Sequence, residues 1–144
     1  MKNKITFPIL ILLFFSFEFH AQTDNTNAEV WYAQGDEFLQ KGKLQEALDA
    51  FTKADSLYQI IEDFPNVIHS KFGQIFSHIR KGEKHQAIAK LEHAKELAAT
   101  KLGETAFEYG KLFYLEAIID FQFLKEKKLE KSLLKAIEIV TNAK

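Results

Sequence analysis

Three glycines, each followed three residues later by a phenylalanine, recur at Gly35-x-x-Phe38, Gly73-x-x-Phe76 and Gly110-x-x-Phe113, 38 and then 37 residues apart. Each lies inside a stretch whose apolar residues repeat at helical spacing. A glycine in mid-helix costs about 1 kcal/mol against alanine. Three at one register therefore mark places where a neighbouring helix comes close, with the following Phe filling the adjacent gap. A unit built this way cannot cover its own apolar face and needs copies of itself. The chain is thereby held to a small all-α array of about three helical hairpins, six helices in all.

The hairpins are expected at about 28–62, 65–101 and 104–142. Thr26 and Glu29 have the spacing of a capping box, which starts the first helix near Asn27. Val30, Trp31, Gly35 and Phe38 then share a face, and Gly42 after Lys41 supplies a left-handed stop. The return helix carries Leu44, Ala47, Leu48, Phe51, Ala54 and Tyr58. Asp63-Phe64-Pro65 breaks the pattern, because proline cannot continue a helix. In the second hairpin Val67, Ile68, Phe72, Ile75, Phe76 and Ile79 precede Gly82, and Ala87, Ile88, Leu91, Ala94 and Leu97 follow it until Gly103. The third runs through Phe107, Gly110, Phe113, Ala117, Ile118 and Phe121, turns at Lys125–Lys128, and returns with Leu129, Leu133, Ala136, Ile137 and Val140 inward. The return helices also align as Ala47, Phe51, Ala54, then Ala87, Leu91, Ala94, then Ser132, Ala136, Ile139. The first two copies present a small-large-small face suited to packing between two neighbours, and the third copy is weaker.

Ahead of the repeats, a basic start is followed by an apolar run of 15 residues from Ile5 to Phe19, too short for a permanent span and suited to a secretory signal peptide. Residues 1–21 are expected to be removed after Ala21, leaving a polar, unstructured lead at 22–27 and an exported protein, periplasmic or extracellular. An uncleaved membrane tether is the competing reading. With no cysteine, the chain has no disulfide, thiol nucleophile or thiolate metal site.

The 19 basic and 20 acidic side chains are interspersed, for a net charge of -1, and no basic stripe follows a phosphate backbone. Nucleic acid is excluded as a partner on this ground. No phosphate loop and no His-Glu-x-x-His motif is written in the sequence, so neither catalysis nor a cofactor is expected. His78 and His85 approach across the Gly82 turn, but the histidines share no i, i+4 face and no metal is assigned to them. His69 beside Ser70 and Lys71 lacks the spacing of a phosphoacceptor motif.

The first hairpin, with Trp31, Gly35, Phe38, Ala47, Phe51 and Ala54, resembles the tetratricopeptide repeat (TPR) family in its order of Trp, Gly, aromatic, Ala, aromatic, Ala. The resemblance extends over residues 28–142 and weakens from the first unit to the third. His69 and Ala106 stand where the family favours Trp, and the repeat is longer than the family's usual 34 residues. The resemblance implies a right-handed α-solenoid whose concave face is built from the first helix of each hairpin and holds a protein or peptide. By register that face is Tyr32, Asp36, Leu39 and Gln40 in the first unit; Ser70, Gln74, Ser77 and His78 in the second; and Phe107, Lys111 and Tyr114 in the third. Tyr32 and Asp36 replace the basic and amide residues with which one subclass grips a terminal carboxylate, which argues against that clamp.

A binding scaffold without chemistry of its own is the expected function. A sensory input unit acting on a separate output partner, and an enzyme with an unrecognised site, are the alternatives. The last return helix has an apolar band wider than one contact needs, with Leu134 and Ile139 off the inner stripe. Self-association as a homodimer through 129–143 is expected from it.

Overall fold

The computed structural model describes residues 26–124 and 129–143. Among them the chain is helical throughout, with no strand. Helix α1 occupies residues 26–40, followed by α2 (Leu44–Ile60), α3 (Phe64–Lys81), α4 (Lys84–Lys101), α5 (Phe107–Ile119) and α6 (Leu129–Asn142). A π-helical turn, Asp120–Leu124, extends α5. No helix among the described residues is long and apolar enough to cross a membrane. The expected signal segment and the turn at Lys125–Lys128 lie outside the described residues.

Backbone chemistry at the breaks explains why the helices stop where they do. Gly42, Gly82 and Gly103 adopt φ of 72°, 76° and 92°, a region that side chains disfavour. At Gly82 the last carbonyls are satisfied in Schellman fashion, the Gly82 and Glu83 N–H groups donating to Ile79 and His78 at 3.0 and 2.9 Å. Between α2 and α3 the same turn is made without glycine, by Glu62 at φ 56°. Asp63 then caps α3, its carboxylate accepting from the Asn66 N–H at 3.3 Å. Pro65 sits in the first turn of α3, where a missing N–H leaves no bond unmade, so it opens the helix rather than breaking it. Thr26 and Asn27, read from sequence as a cap and the end of a disordered lead, are already helical.

Each helix from α2 onward packs on the next, and α3 also reaches α5. At the first junction Phe51 of α2 is fully buried, and Cβ atoms added to Gly35 of α1 and Gly73 of α3 would stand 2.7 and 2.6 Å from its ring. Three helices thus meet on one aromatic side chain. The second core joins α3, α4 and α5 through Ile68, Ile75, Ile79, Leu91, Leu112 and Leu115. At the third junction Gly110 of α5 faces Ile139 and Val140 of α6, a Cβ there standing 2.8 Å from Ile139.

The aligned positions of the return helices are buried in all three copies, including Ser132, Ala136 and Ile139. This corrects the inner stripe expected for α6. Leu133, Ile137 and Val140 are exposed, and Ile139, expected to lie outside, is 6% exposed against Gly110. A small glycine opposite selects the Ile139 face as the one that can approach closely.

Candidate functional site: an apolar groove across α3, α5 and α6

The displaced stripe has a consequence. Leu133, Ile137 and Val140 of α6 form one wall of a groove of about 380 Å³; Phe107, Gly110, Lys111 and Tyr114 of α5 form the floor, and Phe72 of α3 closes the end. Its exposed wall is carbon, with Tyr114 52% and Ile137 56% exposed. The Lys111 ammonium lies 5.4 Å from the centre of the Phe72 ring and 5.6 Å from that of Phe107. It thereby holds the two rings with cation–π contacts while its stem adds apolar surface. Scattered apolar side chains are ordinary on a protein surface, but a contiguous patch in a concavity is the signature of a partner site.

A second depression, about 720 Å³, opens on another face of α6 between Lys95, Glu116, Glu130, Lys131 and Glu138. Lys95 is already engaged there, 2.9 Å from Glu116 and over the Phe113 ring at 4.3 Å. Its charges of both signs leave no net preference for a ligand. The smaller apolar groove is the better candidate.

The residues read from sequence as one concave face divide into three fates. Phe107, Lys111 and Tyr114 line the groove. In α1, Tyr32 is half-buried edge-on against Phe51 at 5.5 Å, and burial, then Asp36, pushes its phenol up to about 12. Asp36 is half-buried too, and that burial raises its carboxyl. Leu39 is half-buried and gives its carbonyl to Arg80 of α3 at 2.6 Å, while Gln40 is exposed.

The middle set does not face solvent. Ser70, Gln74, Ser77 and His78 are all buried, so they cannot form the centre of an open face. Ser70, Gly73 and Ser77 form a stripe of small residues on α3, with Gly73 against Phe51. Ser77 bonds within its own helix to the Gly73 carbonyl at 2.8 Å, and Gln74 bonds Asp55 at 3.0 Å. His78 Nδ1 is engaged by the Glu83 carboxylate at 2.6 Å. Polar by type, Gln74, Ser77 and His78 Nδ1 turn to internal partners, whereas Ser70 Oγ and His78 Nε2 are buried without one.

Leu134, expected to mediate self-association, is 59% exposed and lines the charged depression, not the groove. Ile139 is excluded from that role by its burial. Sequence reading missed Phe72, Leu133, Ile137 and Val140 as groove residues. Shifting α6 to the Ser132–Ala136–Ile139 register of the repeat alignment would have found the last three. Among the described residues no group of His, Asp or Glu side chains gathers to hold a metal ion. No family model, curated protein or solved structure matches the chain.

Proposed function

We infer that the protein is a binding module of the tetratricopeptide kind, a right-handed solenoid of three hairpins exported beyond the cytoplasmic membrane, which holds a helical segment of another protein in the α5/α6 groove. The observation that carries this reading is the pairing of Phe51 with two glycines. Its own hairpin supplies Gly35, and the next helix supplies Gly73. In the third hairpin Gly110 packs on Ile139, which is buried, and on Val140, which stays 37% exposed, and no further glycine-bearing helix covers Val140 among the described residues. The groove beside that position is open and apolar. The occupant it fits is therefore an amphipathic helix with Gly, Ala or Ser at spacing like that of Ser70, Gly73 and Ser77. Burying the exposed half of a side chain such as Ile137 on docking contributes about 1 kcal/mol, roughly half the value for full burial.

A photoreactive amino acid at position 137, activated in cells that produce the protein, tests this reading. One partner, joined through an amphipathic helix with a small-residue stripe and lost in Leu133→Asp, is the expected product. Adducts only between two copies would replace the partner by self-association. Adducts unchanged in Leu133→Asp would remove the groove from consideration. N-terminal sequencing of the exported protein tests localisation, with a start at Gln22 expected.

A further inference from the structure

Away from the apolar groove, α2, α3 and α4 enclose a polar cluster centred on Asp55. Its buried carboxylate accepts from Gln59 Nε2 at 2.7 Å, Lys71 Nζ at 2.8 Å and Gln74 Nε2 at 3.0 Å. Gln74 is locked further, its amide reaching the Phe51 carbonyl at 3.4 Å and its Oε1 accepting from Lys90 Nζ at 2.9 Å. Lys71, Gln74, Ala89, Lys90 and His93 line a cavity of about 190 Å³ beside this network.

The charges in that cavity do not balance. Two ammonium groups share one carboxylate, and Asp55 bonds directly to Lys71, not to Lys90. Lys90 meets a neutral amide instead, and among the described residues no carboxylate stands within ion-pair distance of it. An ammonium has three donors, so both lysines keep two for a ligand. Burial, and then the neighbouring Lys71 charge, hold Lys90 below the ordinary lysine value, with Asp55 acting in the opposite direction. An added negative charge would relieve that repulsion.

The geometry points to an oxyanion site, in which a small monocarboxylate sits between the Lys71 and Lys90 ammonium groups with His93 at the rim. Charge-assisted bonds from two lysines suit a carboxylate. Asp55, already present, opposes a second negative charge, which favours a monoanion over dianionic phosphate. Liquid water occupies about 30 Å³ per molecule, so the cavity has room for a short carboxylic acid and some of its solvent.

Isotope-labelled protein titrated separately with acetate, inorganic phosphate and chloride, at constant ionic strength and neutral pH, tests the assignment. Acetate is expected to give saturable shifts at the amides of residues 71, 74 and 89–93. Lys90→Gln, which keeps a donor for Gln74, should weaken acetate about tenfold, the scale of one lost charge-assisted bond. Lys131→Gln on exposed α6 should leave it unchanged, and resonances far from the site report whether each variant is folded. Lys90→Arg, which keeps the charge, should retain most of the affinity. Non-saturating shifts, equal affinity in Lys90→Gln, or complete loss in a folded Lys90→Arg would each overturn the site. Phosphate binding more tightly than acetate would overturn the monocarboxylate assignment.

Discussion

A Cβ on Gly73 would stand 2.6 Å from the ring of Phe51, well inside van der Waals contact. The ring has little room to yield, because the Gly35 backbone lies so close on another helix that a Cβ there would stand 2.7 Å from it. Gly73→Ala should therefore destabilise the protein by about 1–3 kcal/mol, the range for overpacking, despite the roughly 1 kcal/mol that better helix propensity returns. Phe51→Leu in the same chain should make the pair less costly than the sum of the singles. Urea unfolding of the four proteins is the measurement; strictly additive costs would remove Phe51 as the cause.

Asp55 ties α2 to α3 through a buried carboxylate, which accepts from Gln59 of its own helix and from Lys71 and Gln74 of α3. Asp55→Ala leaves Lys71 and Gln74 buried without their acceptor and should cost about 3–5 kcal/mol, the scale for breaking a buried pair from one side. Lys71→Met removes the charge and keeps the stem, so Asp55→Ala with Lys71→Met should recover part of the loss. Thermal midpoints of the singles and the double decide it.

His69 predicts a pH dependence. Burial, and then Lys111, lower its pKa from 6.5, while Glu108, 3.6 Å away, acts in the opposite direction. As pH falls below 6.5, the unfolded chain takes a proton that the folded protein resists, so stability falls until the folded value is passed. Above that window His69 is neutral in both states and contributes no slope. His69→Gln should flatten the stability profile on the acid side of 6.5 and leave it unchanged at pH 8, read from chemical unfolding at each pH. An equal slope in the variant would assign the effect elsewhere.

Leu134 and Ile139 were paired by sequence and are separated by structure. Leu134→Glu changes an exposed position and should alter the stability by less than about 0.5 kcal/mol. Ile139→Lys places a charge against Gly110 and should unfold or markedly destabilise the α5/α6 contact. Circular dichroism melts distinguish them, and comparable melts would contradict the register of α6 described above.

The all-helical class, the hairpin turns at Gly42 and Gly82 and the close contacts at Gly35, Gly73 and Gly110 were legible because each depends on local chemistry: a positive φ, a missing Cβ, a 3.6-residue period. The open face was not. Ser70 and Ser77 look like solvent-facing residues, and it is the packing of other helices on α3 that buries them. Ile139 was read in two incompatible ways, inward by alignment with Ala54 and Ala94 and outward by counting apolar residues along α6. Alignment was correct because it carried information from two better-packed copies. Apolar counting fails on a helix whose outer face is apolar as well. The Asp55 cluster had one signal in the sequence, a charge four residues after Phe51 on the same helical face.

The π-helical turn Asp120–Leu124 has a consequence for chain length. An α-helix advances about 100° per residue, and a π turn accommodates one residue more than an α turn. That extra residue sets the phase of the end of α5. Asp120 turns inward to accept from Ser132 of α6 at 3.2 Å, Phe121 turns outward to 75% exposure, and Gln122 reaches back to the Ile79 carbonyl of α3 at 3.1 Å. Deleting one residue here would restore a regular helix and rotate Gln122 and Phe123 by about 100°, severing the tie to α3. The same deletion in the turn between Gly103 and Ala106 would be absorbed by loop backbone. Along this chain, tolerance to insertion and deletion is set by helical phase as much as by burial.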